Sequence, residues 1–136
     1  MLKKMLIAAT LLFATSSVLA ELVVVINPAN ANTLDSKTVQ RIFLGKDKKF
    51  ADGNESIAVN QSADTQIRQD FDEAVLGRSS SQVSAYWSKL VFTGKGIPPK
   101  EVSSDAEVID LVSKNPSVVG YINRASVTDA VKIVEM

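Results

Sequence analysis

Apolar and polar positions follow one another along this chain in blocks whose spacing changes from element to element. Behind Lys3 and Lys4, residues 5–13 form an almost unbroken apolar run. A second run, Leu22 to Ile26, is continuous, β-branched and closed by Asn27-Pro28. With no polar position inside it, it predicts a strand covered on both faces and central in a sheet. Asp35 offers an N-cap to a short helix that carries Val39, Ile42 and Phe43 at helical spacing and stops at Gly45. The charged stretch 46–54, with Asp52-Gly53 in it, predicts a turn before a strand over 56–60.

Ile67, Phe71, Ala74 and Val75 fall on one helical face that ends at Gly77. Ser79 to Ser81 supply caps for a further helix, striped by Val83, Tyr86, Trp87, Leu90 and Val91. Residues 94–99, Gly-Lys-Gly-Ile-Pro-Pro, break it and begin an exposed connection. Ser104 with Glu107 predicts a capping box ahead of Val108, Leu111 and Val112, and Pro116 marks the end of that helix. Strands are predicted over 118–122 and 131–136. Strands alternating with helices give an α/β fold, a mixed or parallel sheet of about four strands flanked by about four helices.

The N-terminal run has the parts of a secretory signal: a positive end, an apolar stretch, and the small residues Val18 and Ala20 ahead of Glu21. It is shorter than the roughly 20 apolar residues of a spanning helix. Residues 1–20 are therefore expected to be a Sec-type signal peptide, and residues 21–136 a single periplasmic domain without stable membrane insertion. A lipid anchor is excluded by the absence of cysteine.

Charge changes the picture little. The chain balances 15 basic against 15 acidic residues; without Lys3 and Lys4 the domain has a formal charge of −2. Such a balance does not point to nucleic acid as a partner. The chain has no cysteine and no histidine, which removes thiolate nucleophiles, disulfides, imidazole bases and most zinc sites. No serine or threonine has an identifiable activating base, and the acidic groups 70–73 and 105–107 read as solvated faces and caps, so neither an enzyme nor a cofactor is expected.

The most informative stretch is 60–68, Asn-Gln-Ser-Ala-Asp-Thr-Gln-Ile-Arg, where a strand gives way to a helix through a polar turn. Unpaired N–H groups at such a helix start favour an anion. Hydroxyls of Ser62 and Thr65 and the guanidinium of Arg68 would complete an oxyanion cradle. The alternative is a plain cap at Asp64 or Thr65 with Arg68 solvated on the outer face. Asp64 would also compete with an anion for the same N–H groups. Thr93-Gly94-Lys95-Gly96 lacks the upstream glycine of a phosphate loop, and Asn54-Glu55-Ser56 reads as a chance sequon. Tyr86 and Trp87 either stack a ligand or enter the core, and their spacing with Val83 and Leu90 favours core for at least one.

Several of these pieces, in this order and spacing, carry a resemblance: Arg41 to Gly45, Asp52-Gly53, Thr65 to Phe71, Trp87, Phe92 to Gly94, Ser104 to Val108, and Asn115-Pro116 leading to Gly120 to Ile122. Together they resemble the periplasmic substrate-binding proteins of phosphate ABC transporters, in particular a short, single-lobe group. The family's ligand turn is a Gly-Ser-Gly-Thr-Arg run with a phenylalanine three residues on and an arginine upstream. Thr65 stands at the serine, and Arg68 and Phe71 keep their places; Asp64 and Gln66 replace glycines, Ile67 replaces the threonine, and Gln61 falls near the upstream arginine. The resemblance implies one lobe of a type 2 periplasmic-binding-protein-like fold and phosphate, or a related oxyanion, as ligand.

The expected ligand residues are thus Ser62, Thr65, Arg68, Gln61 and also Asn27, which ends the first strand where open α/β sheets gather ligands. An ABC permease or another envelope protein is the expected partner. One lobe covers a ligand from one side only, so weak binding, a homodimer that rebuilds a cleft, or a purely protein-binding role are the answers left open. The rival function is a periplasmic interaction module whose ligand site has eroded.

Overall fold

The computed structural model describes residues 21–136, so the predicted signal peptide lies outside the described residues. Eleven segments follow one another: β1 (Leu22–Ile26), α1 (Ser36–Phe43), β2 (Ile57–Gln61), α2 (Gln66–Phe71) running into a π-helical turn (Asp72–Leu76), α3 (Ser80–Phe92), β3 (Lys100–Val102), α4 (Asp105–Lys114), β4 (Val118–Asn123), a 3-10 turn (Arg124–Ser126) and β5 (Lys132–Ile133). The strands form one mixed sheet in the order β3-β2-β4-β1-β5. β2 runs parallel to β3 and β4, whereas β1 runs antiparallel to β4 and β5.

Successive side chains of a strand point to opposite faces, and β1 shows why its run is apolar throughout. Leu22, Val24 and Ile26 enter one core with Val39, Phe43, Phe71, Val83 and Trp87, from the helices α1 to α3. Val23 and Val25 enter a second core with Val108 and Val112 of α4. The sheet is therefore a middle layer, and β1 is buried at every position.

The same alternation sorts β4: Val119 and Tyr121 face the first core, Val118 and Ile122 the second. Gly120 lies on the α4 side, where a Cβ would come within 2.5 Å of Val108 Cγ1. Its lack of a side chain is what lets α4 approach the sheet.

Local chemistry sets the helix starts. Asp35, Thr65, Ser79 and Ser104 each accept a hydrogen bond from the N–H three residues on. The predicted Ser104 box is shifted by one residue, since Glu107 Oε2 accepts from the Ser103 N–H at 2.7 Å. Gly45 ends α1 at φ +71°, and a Cβ there would stand 2.8 Å from the Trp87 ring, so both backbone and space require glycine.

The sheet has five strands because Lys100–Val102, within the region expected as connection, pairs with Val59 to Gln61 as a short edge strand. Its Lys and Glu hide it from an apolar-pattern reading and suit a sheet edge. At the other edge, ladder pairing of the expected strand 131–136 covers only Lys132 and Ile133. Among the described residues no helix is long and apolar enough to cross a membrane.

Candidate oxyanion site at the end of β2

Because β2 and β4 are parallel, both present their carboxyl ends to the same end of the sheet, and α2 leaves from there. Three aromatic rings anchor this helix: Phe71 stacks on Tyr121 at 3.9 Å and 4°, and Phe43 tilts against Phe71 at 4.7 Å. The Tyr121 hydroxyl donates to Asn60 Oδ1 and accepts from the Gln61 N–H at 3.0 Å. Burial raises that phenol above its ordinary value, so it stays a neutral hydrogen-bonding strut.

Arg68, one turn into α2, is 5% exposed. Its Nε donates to Asp72 Oδ2 at 2.9 Å and its Nη1 to the Gln61 carbonyl at 3.0 Å. Glu101 Oε1 stands 3.7 Å from the same Nη1 and accepts from the Ala63 N–H at 3.3 Å. Asp72 is fully buried; its Oδ2 also accepts from Ser80 Oγ at 2.8 Å, while Oδ1 is buried without a partner. The guanidinium is thus neither solvated nor bare. One buried carboxylate neutralises it, and a second, with a side chain 48% exposed, lies alongside.

A hollow of about 490 Å³ opens here, lined by Asn60, Ala63, Arg68 and Glu101 on the strand side and by Ser80, Ser84 and Trp87 of α3, with Val91, Phe92 and Pro98 among the remaining lining. Glu101 also lines a second hollow of about 580 Å³ that includes Ser62. Among the described residues no three His, Cys, Asp or Glu side chains gather as a metal site.

The other expected ligand residues are placed as follows. Thr65 Oγ1 donates to the Ser62 carbonyl at 2.7 Å while capping α2 through the Arg68 N–H, and Ser62 Oγ donates to the Val102 carbonyl at 3.3 Å. Both hydroxyls therefore tie the turn together. Gln61 belongs to β2 and shares the face of Val59, so its amide turns to the α4 side, donating to Asp105 Oδ1 at 2.8 Å and to the Tyr121 carbonyl at 3.0 Å. Asp105 accepts further from Asn123 and Ser126. Burial pushes its carboxyl up, but these hydrogen bonds outweigh it and hold the group below its ordinary value.

Asn27 is not brought to this end. β1 runs against β2 and β4, so its carboxyl end lies beside Val119, near the start of β4. There Asn27 Nδ2 donates to the last carbonyls of α4, Val112 and Ser113, at 2.9 and 3.0 Å. Strand-end reasoning holds for parallel strands, and this one is antiparallel. Asp64, the feared competitor, is exposed; Glu101 takes the Ala63 N–H instead.

Sequence reasoning missed two participants. Asp72 is legible as the i+4 partner of Arg68. Glu101 had no local signal, because only the pairing of β3 with β2 brings it across.

No protein-family profile matches the chain, and no curated protein matches its sequence. Solved structures do match its fold. An ABC-type phosphate transport receptor from Vibrio cholerae is 22% identical with a TM-score of 0.66, over 85% of this chain and 45% of that one. A Clostridium perfringens protein solved with bound phosphate gives 16% and 0.65, over 85% and 44%. PstS from Borrelia burgdorferi gives 13% and 0.62, over 85% and 46%. The chain spans less than half the length of the structures it matches, and its fold is that of a single lobe of the phosphate ABC transporter substrate-binding proteins.

Proposed function

We propose that the chain is an exported solute-binding domain that takes phosphate or a related inorganic oxyanion in the hollow beside Arg68, in connection with phosphate transport and an envelope permease. It is a binder rather than an enzyme, as the names of the matched receptors suggest. The observation that carries the reading is the Arg68–Glu101 contact. A carboxylate of the chain itself accepts from the Ala63 N–H and lies 3.7 Å from the guanidinium, which is the place an oxyanion would take. Glu101 is half-exposed, so it can move aside and free Nη1 for a ligand, with Ser80 and Asn60 close by. Ser62 and Thr65 act by shaping the turn, Gln61 by fixing the end of β2 against Asp105.

A second reading, an envelope interaction module with an eroded ligand site, is favoured by the charge at the same place. Asp72 and Glu101 together outweigh Arg68.

Titration calorimetry with phosphate, arsenate and sulfate separates the two. Truncating Arg68 alone would strand a buried Asp72 carboxylate and strongly destabilise the domain, so the variant compared with the parent is Arg68→Met with Asp72→Leu. Phosphate is expected to give heat with the parent protein and none with the double variant. If no anion gives heat with the parent at millimolar concentration, the oxyanion reading falls and the interaction module stands.

A further inference from the structure

Among the described residues, the large apolar side chains left in solvent, apart from Met136 at the C-terminus, are concentrated at one place. Phe92 is 93% exposed, Ile97 90% and Val91 53%, and all three belong to the end of α3 and the turn that follows it. On one side lies the hollow that contains Arg68 and Glu101. On the other lies a groove of about 750 Å³ lined by Leu44, Tyr86, Leu90 and Ile97. Trp87 and Val91 line both, so the segment forms a ridge between two depressions.

The ridge is built, not loose. Thr93 Oγ1 donates to the Lys89 carbonyl at 2.9 Å and the Lys95 N–H to the Leu90 carbonyl at 2.8 Å. Gly94 closes the helix in the left-handed region at φ +69°. A Cβ on Gly96 would stand 3.3 Å from both Leu90 and Trp87. Holding a phenylalanine in water forgoes its burial, and large apolar side chains exposed together mark an interaction surface.

Charge selects the occupant. Lys95, on the ridge, makes no ion pair among the described residues. The adjoining hollow carries Glu101, while its Arg68 is already matched by Asp72, which leaves it acidic by one charge. The chain therefore presents both halves of one contact: an apolar ridge bearing a lysine, and an acidic hollow with Trp87, Pro98 and Pro99 in its lining. A two-fold axis lets each copy use both halves at once, which is the self-complementarity an isologous interface needs.

We infer that the chain self-associates as a symmetric dimer through the Val91–Ile97 ridge, with Phe92 entering the second copy's hollow and Lys95 meeting the partner's Glu101. The second copy supplies the missing wall of the hollow. This does not rest on the oxyanion reading, since it requires neither phosphate nor a released Arg68, but it uses the same hollow and the same Glu101, so a partner seated there competes with an anion for the site.

Light scattering on the purified protein over a dilution series from millimolar concentration tests it. Twice the monomer mass is expected at the top of the series. Phe92→Ser should raise the dissociation constant by about 30-fold or more, the scale of a lost aromatic anchor. Lys95→Glu should weaken the dimer and Lys95→Glu with Glu101→Lys restore it, with unchanged circular dichroism. A parent protein that stays monomeric at millimolar concentration overturns the inference, as does a dimer indifferent to both Phe92→Ser and Lys95→Glu. A charge-reversed double variant no better than Lys95→Glu overturns the pairing of Lys95 with Glu101.

Discussion

Two polar clusters flank the carboxyl end of β2, and they are finished to different degrees. On the α4 face, Asp105 accepts from Gln61, from Asn123 twice and from Ser126, so that both carboxylate oxygens are engaged. On the α2 face, Asp72 holds Arg68 and Ser80 with one oxygen and leaves the other buried without a partner. Beside it a half-exposed Glu101 leans on the same guanidinium. A closed network specifies structure, whereas a network with an open valence and a movable member next to a hollow has room for a ligand. The difference is why the proposed ligand is placed on the α2 face and a structural role on the α4 face.

The largest break in that comparison is removal of Asp72. Asp72→Ala takes from the buried Arg68 guanidinium its close carboxylate and leaves only the half-exposed Glu101 at 3.7 Å, and urea denaturation should show a loss of about 3–5 kcal/mol. Replacing the pair as Arg68→Met with Asp72→Leu should avoid most of it, because two apolar side chains of about the original volume do not require ion solvation. If Asp72→Ala were tolerated without loss, the pair would not be the buried element the geometry describes.

Breaking the closed network should cost less. Asp105→Ala removes acceptors from donors that are only partly buried, so a loss of about 1–3 kcal/mol is expected. The change also has a pH signature. The Asp105 carboxyl is held below its ordinary value in the folded protein, so its contribution is full above that ordinary value and lost as pH falls through the lower folded one. Melting temperatures followed from about pH 6 downward should fall more steeply in the parent than in Asp105→Asn. Parallel curves would remove Asp105 from the acid response.

What could be read from the chain follows the same division. β1 and β4 were legible because both faces are covered and their apolar runs are unbroken. Phe71 and Trp87 were legible through helical spacing. A strand read to Asn60 leaves Gln61 in the turn; the strand continues to Gln61, which places that side chain with Val59, on the face away from Arg68. Asn27 was misplaced by direction, which no local pattern records, since β1 would look the same parallel or antiparallel. Glu101 was hidden in a three-residue edge strand whose only apolar member is Val102. The helices and buried strands are written in periodicity, but the site depends on strand order and sense, which arise only when the sheet assembles.

The smallest expected effect bears most directly on the open cluster. Glu101 lies 3.7 Å from Arg68 Nη1, a contact of about 4 kcal/mol at an effective dielectric near 20. With the carboxylate half in water, solvent screening and side-chain entropy reduce this to under about 1 kcal/mol. Glu101→Gln should therefore leave stability within about 0.5 kcal/mol of the parent. Phosphate should gain on two counts, because the amide neither repels the anion nor competes for the guanidinium with a full charge. The expected tightening is about fivefold, the equivalent of that 1 kcal/mol, and added salt should shrink it. Calorimetric titration of parent and variant at two salt concentrations reads it. Weaker binding in Glu101→Gln would make Glu101 a hydrogen-bond acceptor for the ligand instead of its competitor, and the hollow would then have to be redrawn with the carboxylate inside the site.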